Sequence, residues 1–288
     1  MIRSTQTPVG ETVDLGSVEI GPAVVESYWR SIGLPESTSR EHLPLGLALA
    51  LRGGPTPGIE LETGTVSFHA GHTIIAHQPF VSSTYRIRAR ISDIFEKSGR
   101  SGPLTVVVRS AELCREDDAP VVAIREQQIA RWNTAGGAAH PTHAGVASDQ
   151  RASQGADDLI DVGATIGVER RPAPTAAVVR AYGASLGGGE PFFSDAAFAR
   201  GLGFADVIVP GPMQSALFEA LLARNLPDWR LAELSLTFRV SVIAGEPIVM
   251  SALVVEMDEA GAVVVDLTLE NSSGERAATG TARLHPWP

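Results

Sequence analysis

Hydrophobic and polar positions change their period several times along the chain, and each change marks an element. Over 212–224 the apolar residues Met213, Ala216, Leu217, Ala220 and Leu221 recur at three- and four-residue steps, the spacing of one buried helical face. Pro212 suits the first turn because it has no N–H to leave unpaired, and Asn225 before Leu226-Pro227 marks the stop. Gly211, just ahead, lets another backbone approach closely. A helix begun this way has a bare amino end, where N–H groups can polarise a carbonyl oxygen. Shorter helical patterns cover 22–32 and 175–185. The run LPLGLALAL at 43–51 is apolar on nearly every side and reads as a wrapped helix or a buried strand; the helix is favoured despite Gly46.

Elsewhere the period is two. Strands are predicted over 65–69, 73–79, 84–95, 104–114 and 121–132, separated by turn-rich pieces such as EKSGRSG and REDDAP. In YRIRARI, Tyr85, Ile87, Ala89 and Ile91 face one way, while Arg86, Arg88 and Arg90 face the other, so that side carries positive charge. Further strands are predicted over 233–241, 247–257, 262–271 and 275–284. The order short helix, apolar helix, strands thus occurs twice, as in a degenerate tandem duplication. Between the copies, 134–157 has almost no large apolar residue and reads as a linker, leaving domains at 11–133 and 158–286. A sheet curled around one helix leaves an edge strand exposed, and pairing with a second copy covers it.

Composition narrows the function. With 288 residues the chain has room for two ordinary domains, and 44% hydrophobic with 19% charged residues is a soluble, globular balance. A formal charge of −10 argues against nucleic acid, whose phosphates need a basic face. Cys114 is the one cysteine, which excludes an intramolecular disulfide. His140 and His143 lie in the linker tract and make no metal site. No signal peptide and no apolar run of spanning length is present, so no membrane association and a cytoplasmic location are expected.

The stretch PFFSDAAFARGLGFADVIVPGPMQSALFEALL resembles the signature region of the MaoC-like (R)-specific enoyl-thioester hydratases and dehydratases, a branch of the hotdog superfamily. The likeness runs through Asp195, Phe198-Ala199, Gly203-Phe204 and Pro210-Gly211-Pro212, and the first half is similar to the amino-terminal domain of two-domain members. It implies an α+β double hotdog, in which each antiparallel sheet wraps a central helix. The substrate would be an acyl thioester, on coenzyme A or an acyl carrier protein, with no cofactor and with association as a homodimer or with another hotdog protein. Where the family carries its catalytic Asp, Asn and His, this chain has Gly188, Glu190 and Phe193. Neither Gly188 nor Phe193 titrates, so family-type hydration is expected to be absent or very slow.

Replacement groups are candidates with ordinary alternatives. Glu190 is the nearest acid and precedes Pro191, which keeps its backbone extended; the alternative is a solvated loop carboxylate. Tyr182 and Ser185 precede the altered loop and are donors or packing residues. His69, His72 and His77 lie close in sequence; His69 and His77 share strand parity, His72 opposes them, and Gly71 can break that register. His72 or His77 is the candidate imidazole from the first half. Phe192, Phe193, Pro210, Gly211 and Met213, with Gly188, are the expected substrate lining, and Arg239 is placed for a phosphate. Ser194 and Asp195 are explained by helix capping. Three functions follow: a lyase of the dehydratase and hydratase lineage with non-standard catalysis on an acyl-thioester or polyketide-type substrate, a cyclase working by pocket shape, or a non-catalytic partner of a dehydratase.

Overall fold

The computed structural model describes residues 2–5, 8–31, 42–51, 59–99, 102–132, 160–185 and 190–287. The linker, Gly188 and the side chain of Ser185 lie outside the described residues. In chain order the first half contains β1 (Ile2–Thr5), β2 (Thr12–Ile20), α1 (Pro22–Ser31), α2 (Leu45–Leu51), β3 (Ile59–Leu61), β4 (Thr65–Ala76), β5 (Ser83–Gly99), β6 (Gly102–Cys114) and β7 (Pro120–Trp132). The second contains β8 (Thr165–Pro172), α3 (Ala176–Ser185), a 3-10 turn at Pro191–Phe193, α4 (Ala196–Gly201) and α5 (Gly211–Asn225). It ends with β9 (Trp229–Phe238), β10 (Pro247–Met257), β11 (Val263–Glu270) and β12 (Arg276–Pro286).

Ten strands form one antiparallel sheet in the order β2-β5-β6-β7-β4-β9-β12-β11-β10-β8. Counted outward from the β4–β9 seam, each half places its second strand first, then its fifth, fourth, third and first, when β1 and β3, which pair only with each other, are left aside. The repeat inferred from strand spacing therefore reappears as a repeat of strand order. At the seam, Gly71 to Ile75 pair with Thr237 to Glu233, and the Thr73 and Ser235 hydroxyls lie 3.0 Å apart. A Cβ at Gly71 would sit 2.6 Å from the Leu236 carbonyl, so the seam closes only on a glycine. Each half thereby covers an edge the other would expose.

The larger of two core clusters includes α2, α5 and the inner faces of both sheet halves. On α5 the predicted stripe is buried, and so are Gln214, Ser215, Phe218, Glu219 and Leu222. The helix is wrapped on all sides, and each large apolar side chain taken from water contributes about 1.5–3 kcal/mol. The 43–51 run is a helix, as favoured, starting at Leu45. Two predicted strands, 65–69 and 73–79, are one strand, β4, with a register shift between His69 and Gly71. The outer strands β2 and β8 escape prediction for different reasons: in β2 a register shift at Gly16–Ser17 interrupts the alternation of Val13, Leu15, Val18 and Ile20, and in β8 the less exposed alternate positions carry Thr165, Gly167, Glu169 and Arg171 rather than apolar side chains. In β5, Tyr85, Ile87, Ala89 and Ile91 are buried as expected. The arginine face is charge-balanced: Arg86 pairs with Asp14 and Asp118, and Arg88 with Glu112.

Candidate functional site

The amino end of α5 is bare, as its sequence implied: Pro210 stands before it and no side chain caps it. Gly211 admits side chains, not backbone: a Cβ there would lie 2.7 Å from the Phe238 ring and 3.1 Å from His69. One turn in, the Ser215 hydroxyl is 3.2 Å from the Gly211 carbonyl and 2.9 Å from His72 Nε2. The bulge in β4 brings His69 and His72 to the same side, where strict alternation would oppose them. His69 Nε2 and His72 Nδ1 are 2.9 Å apart. Behind them His69 Nδ1 lies 3.6 Å from Glu126 Oε2, and Arg109 Nη1 donates to Glu126 Oε1 at 3.1 Å.

Register explains this line. His72 of β4 pairs with Glu126 of β7, and Glu126 pairs with Arg109 of β6. Glu126 has the parity of Val122 and Ile124, and Arg109 that of Ala111 and Leu113, so both charges point inward. Arg109, Glu126 and Ser215 are fully buried, and His72 nearly so. A chain hydroxyl–imidazole–imidazole–carboxylate–guanidinium thus runs from the α5 end into the first half. It has two proton arrangements. With Ser215 donating to Gly211, His72 Nε2–H donates to Ser215, and His72 Nδ1 accepts from His69 Nε2–H. With the serine proton turned to His72 Nε2, His72 Nδ1–H donates to His69 Nε2, and His69 Nδ1–H faces Glu126. Exchange between the two moves a proton along the line.

Imidazoles and a carboxylate thus stand beside the α5 end, supplied by the first half. Of the sequence candidates, His72 sits in this line and Gly211 at its mouth. Phe238 packs 5.6 Å from both histidine rings. Met213 and Pro210 are buried. Phe192 and Phe193 pack with Phe68 and Phe204, Phe192 stacking 5.0 Å from Phe68. Glu190 is half-buried, and burial pushes its carboxyl up. Asp195 caps α4 by accepting from Ala197 and Phe198, as capping required, and Ser194 donates to the Pro191 carbonyl. Arg239 lies just past β9, and His77 lies beyond the far end of β4. Tyr182 lies elsewhere, its ring 6.5 Å from Tyr28 of α1.

Ser215, Glu126 and Arg109 escape the sequence reading. The available signal is a charge at each of two core-parity strand positions. Among the described residues no cluster of three or more His, Cys, Asp and Glu is arranged to hold a metal. Nor, among them, is any helix long and apolar enough to cross a membrane.

A cavity of about 110 Å³ lies away from this line, at the amino end of α2. Its walls include Trp29, Leu43, Phe80, Trp229 and Trp287, with Glu219 of α5 among them. Glu219 Oε1 accepts from the Gly46 N–H at 2.9 Å. Burial pushes this carboxyl up to about 8, against the pull of the Gly46 and Leu45 N–H groups. Tyr28 is raised well above the usual phenol range, by burial first and then by Glu219. Gly46 makes room for it: a Cβ there would lie 2.4 Å from the Tyr28 hydroxyl.

No family model matches the sequence, and no curated protein does. Solved structures do match. A MaoC-like dehydratase superposes at TM-score 0.72 with 13% identity, covering 97% of this chain and 98% of that one. HtdX of Mycobacterium tuberculosis gives 0.61 and 21%, covering 94% and 99%. A MaoC domain dehydratase from Chloroflexus aurantiacus gives 0.67 and 14%, covering 98% and 96%. Likeness over nearly the full length, carried by the curled sheet and its wrapped helix rather than by sequence, gives this chain the hotdog fold of the MaoC-like dehydratases.

Proposed function

We propose that the chain is a double hotdog, with domains at 11–133 and 158–286, that adds water to or removes it from an acyl thioester or polyketide-type substrate. The observation that carries this reading is the line from Ser215 through His72 and His69 to Glu126, ending at the bare amino end of α5. Hydration needs a base for water and a polarised thioester carbonyl. The α5 end supplies the second. Ser215 and His72 together supply the first: Ser215 takes a proton from water as its own hydroxyl proton passes to His72 Nε2, with His69 and Glu126 steadying the charge that forms. Arg109 keeps Glu126 ionised, so the proton stays on the imidazoles. We assign Glu190, in the loop where the resemblance puts the family's dyad, as the second acid for the α carbon. Arg239 is the group for a coenzyme A or carrier-protein phosphate, and a cytoplasmic location, alone or with another hotdog protein, goes with this reading. A purely structural partner has no use for a buried hydroxyl–imidazole chain, which favours an enzyme.

The test is hydration of short enoyl-coenzyme A and enoyl-carrier substrates. Turnover by the wild type is expected, with His72→Gln slower by about 10²–10⁴-fold. An inactive wild type, or a His72→Gln variant of undiminished rate, overturns the reading. Turnover regained only after Gly188→Asp with Phe193→His would return the scaffold to the family's ordinary chemistry and remove His72 from it.

A further inference from the structure

On the acyl-thioester reading above, on which this rests, we propose that Phe238 decides which acyl groups reach the α5 end: it admits thioesters unsubstituted at the α carbon and turns away those that carry an α-methyl group. Phe238 has the parity of the buried Leu234 and Leu236, so its side chain points inward with theirs. Its ring centroid lies 5.6 Å from those of His69 and His72. Its edge atoms Cδ2 and Cε2 border Gly211, at 2.8 and 2.7 Å from where a Cβ there would stand. Phe238 is only partly buried, whereas Ser215 is fully buried and His72 nearly so. One side chain thus packs on the helix end and on both imidazoles while remaining partly exposed itself, which makes it the cover of the proton line.

The position of the ring edge sets the selectivity. A thioester carbonyl polarised by the bare end of α5 stands against Gly211, and the α carbon is bonded directly to the carbonyl carbon. The Phe238 edge occupies the same neighbourhood, so an α-hydrogen clears it and an α-methyl meets it. One methyl at a close-fitting wall changes kcat/KM by about 10–200-fold. Entry itself requires the ring to turn. Phe238 sits at a strand end held on one side only: β4 pairs with β9 as far as Thr237, and Phe238 is matched with Ala278 of β12 alone. Rotation about its Cα–Cβ bond therefore opens the buried line while leaving the seam intact.

The test compares hydration of crotonyl-coenzyme A with that of its 2-methyl derivative, using the full-length protein. The ratio of the two kcat/KM values is the readout, because a loss of folded protein lowers both alike. The wild type is expected to favour the unsubstituted substrate, and Phe238→Ala to shift the ratio toward the methylated one by about tenfold or more. Phe238→Leu should shift it less, and it serves if Phe238→Ala does not fold. The cover over the imidazoles is read separately, by labelling with diethyl pyrocarbonate and locating the labelled histidines by mass. Phe238→Ala should raise labelling of His69 and His72 several-fold relative to the exposed His77. Active enzymes whose ratio does not move overturn the selectivity alone, and unraised labelling overturns the cover. A wild type inactive on both substrates overturns the hydration reading and the selectivity with it.

Discussion

The two wrapped helices, α2 and α5, occupy matching places in the two sheet halves, yet their amino ends handle buried charge in opposite ways. At α5 the carboxylate of Glu126 is met by Arg109 from the neighbouring strand and approached by His69, so charge is kept and shared. At α2 the carboxyl of Glu219 meets backbone N–H groups and apolar walls, and it holds its proton instead. Burial is severe at both ends, so the difference comes from the partner: a guanidinium makes an ionised carboxylate tolerable, whereas a pair of amides does not offset the lost hydration. A repeat whose two halves share one strand order thus holds a proton-moving line at one helix end and a neutral acid beside open space at the other.

The ends should therefore respond differently to substitution. The largest effect belongs to His72. Replacing it with Gln should slow enoyl-thioester hydration by about 10²–10⁴-fold while the unfolding midpoint changes little, because Gln retains a polar group in the chain. Equal loss of rate and of stability would make His72 a packing residue. Next is Arg109. Arg109→Met strands Glu126 as a buried charge and should cost about 3–5 kcal/mol in urea unfolding. Adding Glu126→Leu should recover much of that loss. No recovery in the double variant would mean that the arginine's packing, not its charge, holds the end together.

How far the ends can be read from sequence depends on whether the deciding contact is local. The α5 helix is legible because Met213, Ala216, Leu217, Ala220 and Leu221 keep one period, and Pro212 marks its start. The repeat is legible because turns and strands recur in the same order. The line of His69, His72, Glu126, Arg109 and Ser215 is not. It is assembled from β4, β6, β7 and α5, and depends on a bulge that places His69 beside His72. Alternation alone would put those histidines on opposite faces. The helical period leaves Glu219 outside the apolar stripe of α5, since a period cannot show that the second face is covered by α2. The outer strands stay hidden for local reasons: the register shift at Gly16–Ser17 breaks the alternation of Val13, Leu15, Val18 and Ile20 in β2, and Thr165, Gly167, Glu169 and Arg171 stand at the less exposed alternate positions of β8.

The acid at α2 makes a prediction of intermediate size. In the unfolded chain its carboxyl titrates near 4.5, and in the fold near 8, so folding favours the protonated form. The associated stability is fully present below 4.5 and is lost as pH rises through about 8. The loss is on the order of a few kcal/mol, because each tenfold change in proton affinity between the two states is worth about 1.4 kcal/mol. Urea midpoints for the wild type should therefore fall between pH 5 and pH 9, and those for Glu219→Gln should fall less. Parallel curves for the two proteins would place the titration elsewhere and remove the contrast with the paired carboxylate of Glu126.

The smallest effect is the one that separates the ends most cleanly, because it compares like with like. Each end has a buried hydroxyl. Ser215 is bonded on two sides, to the Gly211 carbonyl and to His72. Tyr28 has no hydrogen-bond partner among the described residues and abuts Gly46. Removing a bonded hydroxyl leaves its partners unsatisfied, so Ser215→Ala should destabilise by about 1 kcal/mol or somewhat more. Removing an unbonded one relieves a desolvation cost and keeps the ring, so Tyr28→Phe should be neutral or stabilising by up to about 1 kcal/mol. The signs, read from paired urea melts at pH 6, matter more than the sizes. A Tyr28→Phe variant that loses as much as Ser215→Ala would show that the α2 end is as fully bonded as the α5 end.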